Sequence, residues 1–534
     1  MKEFNENKFM TASLQISSYL LFFLISLVVS VVFLAMPILL NSFIVEQGVI
    51  TFENIFIILF LITTGYGIQA LSVIMKNRLQ RNYHVKATGS IYRKVFKTSY
   101  DRYIEIGPST IQSRSFDTIG AYADIYFFVI PALVVNSIVF IGVVVVSFLI
   151  DPIIGVVMFL LLPFNYYGYK ALNKKLSALS VEMSKVCGQA WRDEDSIVSQ
   201  VDFIKQNADN EKLVNLVMKH RFKNQDITRR VNNVANGVSR ILAAMNHIAH
   251  IGLVVYVMSL LLMDPTDAGI VGGAVFIMII LPFFSTAITS LTNTNLSFAQ
   301  VSAAKDFLND IVSNITEGGT EEINGINEIK FDLEKVNIGE LVLLENVAMS
   351  CKKGDIIGIM GESGKGKSSL VKLLLKFRQA DGIFIDGKPI GNIATESYLK
   401  HVSYYSQNTP IITDTLYNNL NFGREDGNRD LYKKLPLLQK FGDLDEIILE
   451  NGANLSGGDK QRIALARFFA ENTDVVVLDE PTNSLDKETE EAVLSEIMSS
   501  CENKIVFLIS HNAENMKYCN RVFEIKDKKL LSVK

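Results

Sequence analysis

The sequence predicts a two-part chain, an all-α domain of six membrane-spanning helices followed by an α/β domain built around a phosphate-binding loop. Three observations predict it. Six apolar stretches free of Asp, Glu, Lys and Arg lie before residue 305. Past residue 327, short β-rich runs alternate with helical ones, as in an α/β sheet. Within that second part a Gly-rich loop joins a buried-strand pattern to an apolar helix pattern.

Composition narrows the class first. The 534 residues are 49% hydrophobic and only 20% charged, where soluble proteins carry about 25% charged residues. The mean hydropathy is +0.24. A wholly cytosolic enzyme and a small disulfide-stapled secreted protein are excluded. The net charge of −4 carries no basic region of the kind that binds nucleic acid. The cysteines Cys187, Cys351, Cys501 and Cys519 form no CxxC pair, so zinc and thioredoxin-like chemistry have no support.

A helix needs about 20 apolar residues to cross a bilayer. The uncharged stretches run over 9–45, 54–75, 125–150, 152–169, 241–263 and 268–304. They place spans at about 13–45, 52–75, 125–150, 152–169, 241–263 and 268–292. The first is too long for a cleaved signal peptide. Backbone amides cannot go unpaired in lipid, so each span is expected to be helical. Asp151-Pro152 predicts a tight hairpin between the third and fourth spans, and the fourth contains Pro163. The polar end of the sixth stretch, 289–300, reads as helix leaving the lipid or lining a wet cavity.

The loops orient the chain. Those at 46–53, 151 and 264–267 hold no Lys or Arg, whereas those at 76–124 and 170–240 hold 9 and 13. Positive loops stay inside, so both termini, the two long loops and the second domain are expected in the cytosol, with the spans in the cell membrane. Stretches such as 211–222 put apolar residues at helical spacing between charges. The long loops read either as a solvated helical hairpin or, in preference, as helices carrying the spans out to a cytosolic domain. A polar, Gly-containing segment, Ser313–Glu322, marks the junction. The expected division is a membrane domain over 1–310, a linker over 311–327 and a nucleotide-binding domain over 328–534.

The strand pattern Asp355–Met360 leads into Gly361, Glu362, Ser363, Gly364, Lys365, Gly366, Lys367 and Ser368, then into an apolar helix from Ser369. This is G-x-x-x-x-G-K-S in its strand–loop–helix context. Glycines let backbone N–H groups curl around phosphate oxygens, and the helix start adds its dipole. Lys367 would reach the β- and γ-phosphates and Ser368 would offer its hydroxyl to Mg²⁺. A second run, Val475–Glu480, is an apolar strand ending in two carboxylates. Asp479 suits the Mg²⁺ shell, and Glu480 suits polarising a water for attack on the γ-phosphate. Between them, Leu455–Asp459 puts Ser456, Gly457 and Gly458 at a helix start, a second phosphate cradle. One nucleotide does not need two cradles, so the second is read as serving the nucleotide of another copy.

This set resembles the ATP-binding cassette (ABC) transporters, in particular exporter half-transporters with six spans ahead of one cassette. Gly361–Ser368 resembles the Walker A loop and Gln407 the Q-loop. Leu455–Asp459 resembles the LSGGQ signature, Val475–Glu480 the Walker B strand, Ser484–Asp486 the D-loop and His511 the switch histidine. Glu450–Gly452 resembles the exporter X-loop, Thr413–Gly423 has an exporter look, and Ile111–Arg114 is faintly similar to the first cytosolic loop. The resemblance implies an ABC ATPase fold. It also implies ATP and Mg²⁺ bound by these residues, with Gln407 beside Ser368 and Asp479 at the metal. Gln407 and His511 would sense the γ-phosphate, and Asp486 would join the nucleotide site. It further implies alternating access in a dimer, a homodimer before a heterodimer.

The chain departs from the family pattern. Asp459 stands where the signature usually ends in Gln. Residues 334–340 hold no aromatic to stack on adenine, which leaves Ile338 or Val336 in place of a π-face. The segment from Gln407 to the signature is short, and no peptidase domain fits ahead of the first span.

Among the histidines, His84, His220 and His401 read as surface or loop residues. His247 and His250 share one face of the fifth span, as helix contacts or, alternatively, metal or haem contacts. The spans hold Asn136, Asn165, Asn246, Asn293 and Asn295 with Tyr166, Tyr167, Phe283 and Phe284 rather than charge. That suits helix packing or a neutral, amphipathic or peptide-like cargo. A lipid flippase and a non-transporting regulatory or channel-type protein are the alternatives.

Overall fold

The computed structural model describes all residues except 1–4, 48–50, 207–210, 265–269, 272, 276–296, 299, 317, 339–340, 363, 407–409, 423–428, 471 and 482–486. The chain forms two compact units, Met1–Ile315 and Thr316–Lys534.

The first unit is helical. It runs α1 (Glu6–Thr11), α2 (Ile16–Gln47), α3 (Phe52–Val95), α4 (Tyr100–Ile106), α5 (Pro108–Asp124), a π turn (Ile125–Val129), α6 (Ile130–Ile150), α7 (Pro152–Val198), α8 (Val201–Gln206) and α9 (Glu211–Met263). Residues 300–313 form α10. Among the described residues, three helical stretches are long and apolar enough to cross a membrane: Phe52–Val95, Pro108–Ile150 and Glu211–Met263. Ile16–Val32 and Pro152–Asn165 are shorter apolar stretches. The expected sixth span lies mostly outside the described residues, and so do Asn293, Asn295, Phe283 and Phe284.

These helices outrun their apolar windows. At about 1.5 Å per residue, the 44 residues of α3 reach about twice the thickness of a hydrocarbon core. The expected helical character of the two long loops is seen in these continuations. Pro163 does not end α7, whose 47 residues run through it; neighbouring helices can satisfy the freed carbonyl. The expected hairpin is present. Asp151 caps α7 by accepting from the backbone N of Ile153 at 2.7 Å and of Ile154 at 3.3 Å.

Where α7 meets α9, a Cβ on Gly168 would stand 2.7 Å from Leu242, so glycine permits the approach. One turn away, Asn165 and Asn246 are both buried and exchange amide hydrogen bonds at 3.1 and 3.2 Å. These two asparagines serve helix packing. Exposed Leu20, Leu24, Phe56, Phe60, Ile248, Ile251 and Val255 face away from this packing, as lipid-facing side chains do.

The second unit holds strands β1 (Glu328–Ile338), β2 (Leu341–Lys352), β3 (Ile356–Gly361), β4 (Ile383–Ile385), β5 (Lys388–Pro389), β6 (Val402–Tyr405), β7 (Asp414–Thr415), β8 (Ile447–Ile448), β9 (Val475–Asp479), β10 (Ile505–Ile509), β11 (Arg521–Lys526) and β12 (Lys529–Ser532). Its helices are α11 (Lys367–Leu374), α12 (Thr395–Leu399), α13 (Leu416–Asn421), α14 (Arg429–Lys434), α15 (Gly457–Phe469) and α16 (Lys487–Ser499). The main sheet has the order β12-β11-β3-β10-β9-β6 and is parallel except for edge strand β12. β9 and β10 read VVVLD and IVFLI and are buried on both faces, as central parallel strands require. A second, antiparallel sheet runs β2-β1-β4-β5.

The asparagine pair gives a test. Asn246→Leu leaves the Asn165 Oδ1 without its partner inside the helix contact, while Asn165 Nδ2 keeps the Leu161 carbonyl at 2.7 Å. The change should cost about 1 kcal/mol. Thermal unfolding in detergent should show the single variant melting lower and the double variant Asn165→Leu/Asn246→Leu recovering most of the loss.

Candidate functional site

The register of the main sheet sets one edge of the second unit. Ile509 pairs with Ile359 on one side and Asp479 on the other. The chain therefore leaves β3, β9 and β10 at the same level, where α/β sheets bind ligands. Gly361 ends β3, and Glu480 and Ser510-His511 follow β9 and β10 directly.

The loop after β3 is shaped by glycine. Gly364 and Gly366 have φ of +79° and +107°, which other residues resist. A Cβ on Gly361 would stand 3.1 Å from the Ile525 carbonyl of β11. Gly366 starts α11 without a side-chain cap, so the first N–H groups of the helix stay free for an anion. Lys367 is buried, and its ammonium donates to the carbonyls of Gly361 at 2.6 Å and Glu362 at 2.9 Å. Ser368 is exposed, whereas Ser369 turns inward and is buried. Glu362 and Lys365 form a surface ion pair at 3.4 Å. Ser363 lies outside the described residues.

The acid pair sits at the end of β9. Burial raises the Asp479 carboxyl above its ordinary range, and the neighbouring Glu480 charge adds to this; Tyr404 and Lys367 pull the other way. The Tyr404 hydroxyl donates to Asp479 Oδ2 at 3.4 Å. Glu480 has φ +50°, a conformation that costs a non-glycine residue strain. Its N–H is anchored on the Ile509 carbonyl at 3.0 Å. Its Oε1 lies 3.3 Å from Nδ1 of His511. The sheet thus brings Lys367, Ser368, Asp479, Glu480 and His511 to one edge. Gln407 and Asp486 lie outside the described residues.

The fit to Mg²⁺ rests on donor chemistry. No group of three or more His, Cys, Asp and Glu is poised for a metal among the described residues. A magnesium ion takes one or two carboxylates and completes its shell with phosphates and water. The exposed Ser368 hydroxyl and the Asp479 carboxylate suit that role.

The second cradle opens α15. Ser456 is its N-cap and forms a reciprocal capping box with Asp459. Ser456, Gly457 and Gly458 are exposed, and a Cβ added at Gly457 would meet nothing. Among the described residues, no packing demands glycine there. Gln461 of α15 donates to the Pro481 carbonyl at 2.8 Å, which ties this helix to the residue after Glu480.

Several sequence expectations change. Val336 is buried in the core, so it offers no face to a base; the side chain of Ile338 lies outside the described residues. His401 is not a plain loop residue, because its Nδ1 pairs with Asp474 at 2.9 Å. His220 pairs likewise with Asp193 at 2.9 Å. His247 is exposed, and neither it nor His250 belongs to a metal-ligating group among the described residues. Sequence reasoning missed Tyr404 and Lys440. Lys440 bonds Asp459 at 2.7 Å, and nothing in its local sequence signals that contact.

The raised Asp479 carboxyl has a consequence for stability. Its contribution to folding is present below the ordinary Asp range and is lost as pH rises through the shifted value. At neutral pH, Asp479→Asn should therefore raise the melting temperature without nucleotide and abolish the further rise on adding MgATP. Thermal shift measured with and without MgATP checks both halves.

Comparison with known proteins agrees with this geometry. Residues 344–483 match the ABC transporter family. A probable ABC transporter ATP-binding/permease protein of Haemophilus influenzae is 35% identical over 213 residues, which span 37% of this chain and 38% of that relative. The ATP-dependent lipid A-core flippase of Photorhabdus laumondii is 25% identical over 409 residues, or 72% of this chain and 69% of that protein. A solved bacterial Atm1-family ABC exporter with ATP bound superposes with a TM-score of 0.77 at 17% identity, covering 96% of this chain and 94% of that one. The ABC transporter family match thus falls on the second unit, and the chain as a whole has the fold of a solved ABC exporter.

Proposed function

We propose that the chain is an ATP-driven exporter that works as a pair of copies in the cell membrane, with its second unit in the cytosol. The observation that carries this is the exposed Ser456-Gly457-Gly458 cradle on a chain that also holds a complete phosphate loop and acid pair. A cradle that faces solvent, with open space before Gly457, suits the phosphates of a second copy's ATP. All catalytic parts stand in one sequence, which favours a homodimer.

In this reading the loop N–H groups of 361–368 and the Lys367 ammonium hold the phosphates. Lys367 then exchanges the Gly361 and Glu362 carbonyls for phosphate oxygens. Ser368 and Asp479, with Gln407, would hold Mg²⁺, which when bound offsets phosphate charge. Glu480 accepts the proton of the attacking water as the bond between the γ-phosphorus and the leaving oxygen of ADP breaks. The strained backbone and the His511 contact fix the Glu480 carboxylate. ATP held between two copies favours the closed pair, and hydrolysis removes that preference.

The proposed cargo is neutral and amphipathic or peptide-like. A groove of about 270 Å³ between α2, α3 and α6 supports this. Uncharged Ser26, Ser30, Gln69, Ser72 and Asn136 line it, with Lys76 as its cation. The flippase relative, aligned over 72% of this chain, favours a lipid as the second reading. In reconstituted vesicles, ATPase stimulation by an added peptide supports the first reading, and ATP-dependent movement of a labelled lipid between leaflets supports the second.

Glu480→Gln should still bind MgATP but release phosphate at least about 100-fold more slowly. Light scattering should show MgATP shifting it toward a two-copy form. Undiminished phosphate release removes Glu480 from the role of base.

A further inference from the structure

Asp459 stands at the third position of α15, where the ABC signature usually has an uncharged amide, and it is buried. Its carboxylate accepts from the Ser456 backbone N at 3.1 Å and from the Ser456 hydroxyl at 2.6 Å. Its own N–H donates back to the Ser456 hydroxyl at 3.2 Å. The hydroxyl of the second cradle is thus held by one side chain. The other carboxylate oxygen takes the Lys440 ammonium at 2.7 Å. Lys440 comes from the segment after the short turn Pro436–Leu438 and is the more exposed partner, at 59% against 10% for the Asp459 side chain.

Two effects oppose each other here. The capping box and the helix dipole stabilise a carboxylate at this position. The same negative charge lies within one helical turn of the N–H groups that would meet a phosphate. Coulomb repulsion between two anions at that range is several times larger near a protein surface than in bulk water. A neutral side chain carries no such repulsion. With Asp459, the repulsion is offset only where a cation accompanies the carboxylate, and Lys440 is bonded to it. Lys440 and Ser456 together hold the Asp459 carboxyl down at about 2, so the charge is permanent at physiological pH.

We infer that Asp459 and Lys440 form a positioning pair for the second cradle. Asp459 fixes the Ser456 hydroxyl and the start of α15, and Lys440 cancels the carboxylate charge so that the phosphates of a second copy can approach. This rests on the two-copy reading above. Neither residue is assigned a chemical step; both act through Ser456 and the helix start.

The test uses the full-length protein in detergent or nanodiscs. Lys440→Met should raise the KM for ATP about tenfold at low salt, the size of a modest uncompensated charge, with kcat at saturating ATP within about twofold. The defect should shrink as ionic strength rises, because screening shortens the reach of the exposed charge. Lys440→Arg should retain the parental KM. Lys440→Met/Asp459→Gln, which removes the charge and restores an amide, should recover it to within about twofold. Binding of a fluorescent ATP analogue to the phosphate loop without Mg²⁺ should be equal in all variants.

Two outcomes overturn the inference. One is an unchanged KM in Lys440→Met at low salt. The other is a defect that neither salt nor the double variant relieves, which marks a packing role. The two-copy reading is judged separately, by whether Glu480→Gln pairs on MgATP. If it pairs while Lys440→Met behaves as the parent, only the positioning pair falls.

Discussion

Phosphate charge must be met by backbone N–H groups and cations at a helix start, and the second unit is arranged around that constraint. Two of its helices, α11 and α15, start in a way suited to it. At α11, the cap is Gly366 in a left-handed conformation, with no side chain to occupy the first N–H groups. At α15, the cap is Ser456, held by Asp459. The first start is closed in by its own chain, through Lys367 on the loop carbonyls and Ile525 against Gly361. The second faces outward with open space before Gly457. The parallel sheet supplies the rest, because its register delivers Asp479, Glu480 and His511 to the edge where the first start lies.

Local spacing made much of this legible beforehand. The phosphate loop, the acid pair at a strand end and the serine-capped helix are each written within eight consecutive residues. The apolar runs Val475–Leu478 of β9 and Ile505–Ile509 of β10 announce strands buried on both faces. The helical hairpin at Asp151 was legible for the same reason, since a capping Asp and a Pro at the first helical position are adjacent in sequence. What escaped is long-range. Lys440 meets Asp459 across 19 residues, and Asn165 meets Asn246 across 81. No periodicity encodes such pairs. Val336 was misjudged because the register of β1 with β2 shifts at Val336/Asn337, so simple alternation does not tell which residue points inward there.

The membrane unit shows a different limit. Charge-free windows mark where lipid can lie, not where helices end. α3, α7 and α9 continue through polar, charged sequence because their backbone bonds propagate at little cost once the helix exists. Amides and hydroxyls are among the polar groups of the described spans. Asn165 and Asn246 satisfy one another, while Gln69, Ser72 and Asn136 line a groove. The same residue types thus serve packing at one contact and line an open groove at another, and only the fold separates the two.

The central claim is that each ATP is held between the phosphate loop of one copy and the Ser456 cradle of another. Turnover per chain in nanodiscs assembled to hold one copy or two tests it most directly. The account predicts steady MgATP hydrolysis in two-copy discs and near-background hydrolysis in one-copy discs. Equal rates per chain in both would contradict it.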